Sequence, residues 1–141
     1  MKQKFTISWK SSRQKRKQKK YRINAPLHIR HKLMASNLSK ELRKKYNRRA
    51  FPIRKGDKVR IMRGKLAGKE GKVNRIDLKK LRISVEGLQI QKKDGTKVNV
   101  YFNPSKVQIQ ELALEDKERI AAINKGNKTE NKEKKDASEK K

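Results

Sequence analysis

The run GDKVRIMRGKLAGKEGKV, residues 56–73, decides how the rest of this chain is read. Val59 and Ile61 alternate with Lys58, Arg60 and Met62, a period-two pattern that puts one set of side chains inside and the other in solvent. Gly64, Gly68 and Gly71 then punctuate a turn, and Val73 opens a second apolar series. The glycines let one backbone approach another closely, while Arg63, Lys65, Lys69 and Lys72 ring the turn. Gly64-x-x-x-Gly68-Lys69 invites comparison with a P-loop. It is one residue short, Glu70 replaces the Ser/Thr that would hold Mg²⁺, and the context is a β-turn, so ATP binding is not expected.

Outward from this run, the strand pattern continues. Leu81, Ile83 and Val85 alternate with polar residues, as do Leu88 and Ile90, then Val98, Val100 and Phe102, then Val107 and Ile109. Val73 and Ile76 break the parity, which suggests a bulge or bend. Asp94-Gly95 signals a hairpin with a type I′ turn, and Gly87 separates two short strands. Five or six strands in so short a segment predict a mainly β fold, a small and strongly bent barrel over residues 56–111. A domain of about 60 residues buries only ~60% of its unfolded surface, so marginal stability alone and a gain on binding a partner are expected.

Composition supplies the partner. The 141 residues carry 43 Lys+Arg against 14 Asp+Glu, a net charge of +29. Residues 1–55 hold 20 of those cations and one acid, Glu41, whereas residues 112–141 are almost balanced, with 9 cations and 7 acids. Such charge opposes compaction unless a polyanion neutralises it, and nucleic acid is the polyanion indicated. An anionic membrane would want a wide apolar face, which the basic segments lack. No cysteine is present, which removes disulfides, thiolate metal sites and thiol nucleophiles. No long apolar run exists, so neither a signal peptide nor membrane insertion is expected.

Leu, Ile, Val and Phe number 16 in residues 56–111 but only 10 in 1–55, which makes the middle segment the one able to bury a core unaided. The flanks are read as a basic N-terminal arm with one helix (1–55, helix about 37–46), a short C-terminal helix (112–123) and a disordered Lys/Glu tail (124–141). In the first helix Leu38, Leu42 and Tyr46 share a face, Ser36 or Asn37 caps the start, and Asn47 takes the left-handed position at the end. In the second, within Glu115–Ile123, Glu115, Asp116 and Glu118 suit the positive N-terminal end.

The arm is the strongest functional candidate. Arg13, Lys15, Arg16, Lys17, Lys19, Lys20 and Arg22 place seven positive charges in ten residues. A localisation signal also matches short basic runs, but the basic character here persists for thirty residues more, which favours RNA contact. Tyr21 and Trp9 either stack on exposed bases or pack on the barrel. His28 and His31, spaced i, i+3, lack further ligands and have Arg30 and Lys32 as neighbours, so hydrogen bonding to phosphate or ribose is favoured over a metal, with simple packing as the other reading. Lys44, Lys45, Arg48, Arg49, Arg54 and Lys55 extend the candidate RNA-binding set towards the turn cations. The acids are scattered and flanked by Lys or Arg, and no triad is ordered, so neither catalytic nor metal residues are assigned, no cofactor is expected, and the protein is read as no enzyme.

Gly56-Asp57-Lys58-Val59 through Gly71-Lys72-Val73 resembles a KOW motif, a strand–turn–strand unit of ribosomal and transcription-elongation proteins. Asn24-Ala-Pro-Leu-His28, Leu38-Ser-Lys-Glu-Leu-Arg43, Lys45-Tyr46, Pro52-Ile-Arg54, Val85-Glu-Gly87 and Pro104-Ser105 resemble, in order, the archaeal and eukaryotic form of the large-subunit ribosomal protein L-twenty-four family. The resemblance runs from about Lys15 to Arg119. It implies an SH3-like barrel with extended flanks, a structural role on large-subunit rRNA near the polypeptide exit side and early in subunit assembly, and Ser105 as a further RNA contact. It also implies a cytoplasmic, ribosome-bound monomer beside neighbouring ribosomal proteins, with no small-molecule substrate. Asn103, Tyr101 and Ala67 depart from the family's usual His, Pro and Lys. The alternative, a KOW-type elongation regulator binding RNA polymerase, usually has a folded domain before the KOW unit, where this chain has a basic arm and a helix.

Overall fold

The computed structural model describes residues 4–125, so the Lys/Glu tail read at 124–141 lies outside the described residues from 126 onward. Seven strands form one mixed sheet: β1 (Ala35–Leu38), β2 (Ala50–Pro52), β3 (Lys58–Ile61), β4 (Glu70–Asp77), β5 (Arg82–Gln91), β6 (Lys97–Phe102) and β7 (Val107–Glu111). Their spatial order is β2-β1-β7-β3-β4-β5-β6, with β2 and β6 as the two edges. The mainly β, barrel-like fold expected from the alternation is thus formed, as a curled sheet whose edges do not pair with each other among the described residues.

Curling has identifiable causes. β4 pairs with β3 through Lys72 and with β5 from Val73 onward, and the register slips between Val73 and Arg75, where the parity break stood in the sequence. A strand that passes from one ladder to the next through such a slip turns a corner. The close approach sits at Gly71: a Cβ there would lie 2.7 Å from Val85 Cγ1 and 2.9 Å from the Glu86 carbonyl oxygen. Any side chain would push β4 off β5.

Two turn expectations are corrected. β5 is one strand rather than two, and Gly87 sits in it where the register with β6 shifts, between Ser84 and Gln89. The Asp94-Gly95 hairpin is not type I′, because Gly95 has positive φ (+81°) and Asp94 does not. The Gly95 N–H donates to the Lys92 carbonyl (3.1 Å) and the Lys92 N–H to the Thr96 carbonyl (2.9 Å), a three-residue loop closed by a left-handed glycine.

Val59, Ile61, Val73, Ile83, Val85, Val107 and Ile109 fill the interior, and the core takes in residues on both sides of the 56–111 segment: Met34, Leu38, Tyr46, Phe51, Ile53 and Ile123. β1 and β2 pair antiparallel, and β1 joins the sheet by a parallel pairing with β7, Leu38 opposite Ile109. Ser36, expected as a helix cap, is buried in β1, its hydroxyl donating to the carbonyls of Pro104 (2.7 Å) and Val107. The helix therefore starts later. Ser39 caps it by accepting the Leu42 N–H (3.3 Å), and Asn47 ends it in the left-handed region as read.

Helices are more numerous than expected: α1 (Lys15–Asn24), α2 (Leu27–Leu33), α3 (Lys40–Tyr46) and α4, residues 117–125. Lys, Arg and Gln are good helix formers, so the run that reads as pure charge also carries helix propensity. α4 begins two residues later than the Glu115 start expected from sequence, because Asp116 caps it, its Oδ1 accepting the Glu118 N–H (2.9 Å). A buried clasp holds α4 on the barrel. Arg119 donates to both carboxylate oxygens of Asp57 (2.7 and 2.6 Å), and to the carbonyls of Ala113 and Pro52.

Candidate nucleic-acid interface

α1 is built with one inward face and several basic ones. Gln18 and Tyr21, three residues apart, face the short 3₁₀ helix Ile7–Ser11 that folds back along α1. The Gln18 amide donates to the carbonyls of Trp9 (2.9 Å), Lys10 (3.1 Å) and Ser12 (2.7 Å). Tyr21 is buried and stacks on Phe5 with ring centroids 5.2 Å apart. The question left open for Tyr21 is thereby answered in favour of protein packing, inside the arm rather than on the barrel. Trp9 is half-buried.

Arg13, Lys15, Arg16, Lys17, Lys19, Lys20 and Arg22 are all exposed, and among the described residues none is ion-paired. Lysines and arginines on a helix without acids nearby present phosphate ligands at fixed spacing. Arg30 is different. Its guanidinium turns back to the carbonyls of Ala25 (2.8 Å) and Ile23 (2.7 Å), closing the end of α1.

His28 and His31, one helical turn apart on α2, line different clefts. His28 shares a groove with Lys10, Arg22 and Lys32, whereas His31 shares one with Phe51, Arg54 and Asp116. Among the described residues no group of three His, Asp or Glu side chains could hold a metal. Arg54 is paired with Asp116, whose carboxyl is held below the ordinary range first by that hydrogen bond and then by the Glu118 N–H. Lys55 lines a small cleft beside Arg54. A further groove joins Arg22 to Ser105, and Ser105 donates its hydroxyl to Asn103 Oδ1 (2.9 Å).

Arg63, Lys65, Lys69 and Lys72 stand exposed around the glycine turn, and Lys44, Lys45 and Arg49 around the end of α3; Arg48 there is half-buried. The Lys45 ammonium lies 5.4 Å from the centre of the Tyr46 ring. These two groups line none of the clefts that hold the arm residues. Sequence reasoning passed over Lys10, which gained a place only when the 3₁₀ helix folded back on α1. It also passed over Lys92, Lys93 and Lys97, exposed at the β5–β6 tip. A charge cluster on a predicted hairpin tip was the signal that could have found those three.

Residues 12–126 match the family described as ribosomal proteins L26 of eukaryotes and L24 of archaea. The chain belongs to this ribosomal protein family. Among its relatives is the large ribosomal subunit protein uL24 of Methanosphaera stadtmanae, 47% identical over 113 residues, which cover 80% of this chain and 97% of that protein. Another is the uL24 of Korarchaeum cryptofilum, 50% identical over 103 residues, covering 73% of this chain and 79% of the relative. The matched span takes in α1 to α4 and every strand, so the arm and the barrel belong to the family together.

Proposed function

We propose that the protein is a structural constituent of the large ribosomal subunit that binds rRNA through its basic arm and barrel, without catalysis or cofactor. One observation carries the proposal: the match, over 73–80% of this chain, to relatives named as large ribosomal subunit proteins. The unpaired cations of α1 and of the glycine turn supply the chemistry, because phosphates bound there displace condensed counterions. The residues proposed as contacts are the cations of the arm, His28, Arg30, His31 and Lys32 of α2, and the cations at the end of α3 and around the glycine turn, with Ser105. Arg30 and Arg54 act chiefly by holding the arm and α4 in shape. The proposed setting is the cytoplasmic ribosome, on the polypeptide exit side, as a monomer beside neighbouring ribosomal proteins and active in subunit assembly.

Sedimentation of the tagged chain tests this directly: it should travel with large subunits at physiological salt. Its affinity for rRNA fragments should fall by about 10³–10⁵ between 50 and 200 mM salt if six to ten phosphates are contacted. A chain that stays at the top of the gradient ends the proposal.

A further inference from the structure

We propose that the groove between α1 and α2 is a receptor for a single unpaired nucleotide of RNA, an inference that rests on the RNA-binding reading above. The groove has a volume of about 550 Å³. Its lining combines the apolar Ile7, Tyr21, Ile29 and Leu33 with the cationic Lys10, Arg22 and Lys32, and no carboxylate is among the lining residues. A nucleotide turned out of a helix presents a flat apolar base and a flanking phosphate on either side, which is the complement of this arrangement. A protein partner fitting the same walls would need acidic groups around an apolar side chain.

The groove is also preformed. Gln18 fastens the 3₁₀ helix to α1 through three carbonyls, Phe5 stacks on Tyr21, and Arg30 ties α2 back to the end of α1. Gln18 lines the groove, and with its amide N–H groups spent on those carbonyls its amide oxygen is the acceptor it has left to offer a base. Ile7 is 68% exposed, which no need of the arm's own core explains. A second groove shares Arg22 and Leu33 with the first and runs on to Pro104 and Ser105. The strand leaving the receptor thus has a path towards the barrel.

The test compares the full chain on a short perfect RNA duplex and on the same duplex carrying one unpaired adenosine. The bulged RNA should bind about five- to ten-fold tighter, as burial of one base against apolar side chains allows. Ile29→Ser, which removes most of an apolar lining side chain and adds a hydroxyl, should cut that increment by at least half and leave duplex binding unchanged. Ile7→Ala, at a side chain too exposed to be needed for folding, should reduce the increment by about half through the apolar surface lost. Equal binding of both RNAs by the native protein overturns the nucleotide receptor while leaving the RNA-binding reading in place. Binding of neither overturns both. An increment unchanged in a folded Ile29→Ser variant, or an acidic peptide that competes with the bulged RNA but not with the duplex, also overturns the receptor.

Discussion

Arg119 and Asp57, 62 residues apart, are joined through two nitrogens and two oxygens at 2.7 and 2.6 Å, with the guanidinium lying over Phe51. Neither charge is left wanting. Asp57 also accepts the backbone N–H groups of Arg54 (2.8 Å) and Ala113 (3.0 Å). The pair therefore ties the loop before β3, the segment after β7 and α4 at one point.

Breaking such a pair from one side strands the other charge. Arg119→Met should cost about 3 kcal/mol in urea unfolding. Asp57→Asn should cost a comparable amount, and the double variant less than their sum. Additive losses would show that the two side chains do not depend on each other.

Gly71→Ala should destabilise the protein by about 1–3 kcal/mol, because one of the two atoms its Cβ would meet, the Glu86 carbonyl oxygen, belongs to backbone and cannot swing away. Thermal unfolding of the variant measures it. An unchanged midpoint would mean that β4 and β5 have room to part.

Ser84 is buried and its hydroxyl has no hydrogen-bond partner among the described residues. Ser84→Ala should therefore stabilise the fold, by about 1 kcal/mol, since it removes the desolvation cost and little volume. A loss of stability would mean that the hydroxyl finds a partner in solution.

Asp116 and Asp77 are both held below the ordinary carboxylate range, the first chiefly by Arg54 and the second chiefly by the Lys80 backbone N–H. A carboxyl with a depressed folded value stabilises above its unfolded value, and that contribution fades as pH falls through the folded one. Stability should thus decline below about pH 4, and Asp116→Asn together with Asp77→Asn should flatten the decline. Both groups are solvent-accessible, so the contribution is small and best seen at low salt.

For RNA, removal of residues 1–22 should lower the salt dependence of binding by about 0.9 in slope for each phosphate the arm no longer neutralises. Removal of 126–141, where six cations are offset by four acids, should change the slope by less than about 1. Equal effects would show that the arm is not the principal electrostatic contact.

The strands were legible because period two is enforced by burial on one face: Val59, Ile61, Ile83, Val107 and Ile109 could be assigned inward from sequence and lie inward. The bulge after Val73 left its mark as broken parity. What stayed hidden depended on distant partners. Ser36-Asn37-Leu38 reads as well for a helix start as for a strand, and the parallel pairing with β7 decides it. Arg119 was indistinguishable from any exposed cation, since nothing local marks the carboxylate 62 residues earlier as its partner. For the candidate site, the cations were legible by type, but which of them share a groove was set by the folding of residues 7–11 onto α1.

The place of β7 has a consequence for synthesis. It lies between β1 and β3, yet it is the last of the described strands to be made. While the chain is being translated, the β1–β2 pair has no bridge to the β3–β6 meander until Glu111 is free, and Arg119 can close its clasp only after that. Non-local strand pairing is slow compared with local helix formation. The arm can thus be displayed while the sheet is still in two pieces, and on the RNA-binding reading proposed above a nascent chain should meet RNA arm first.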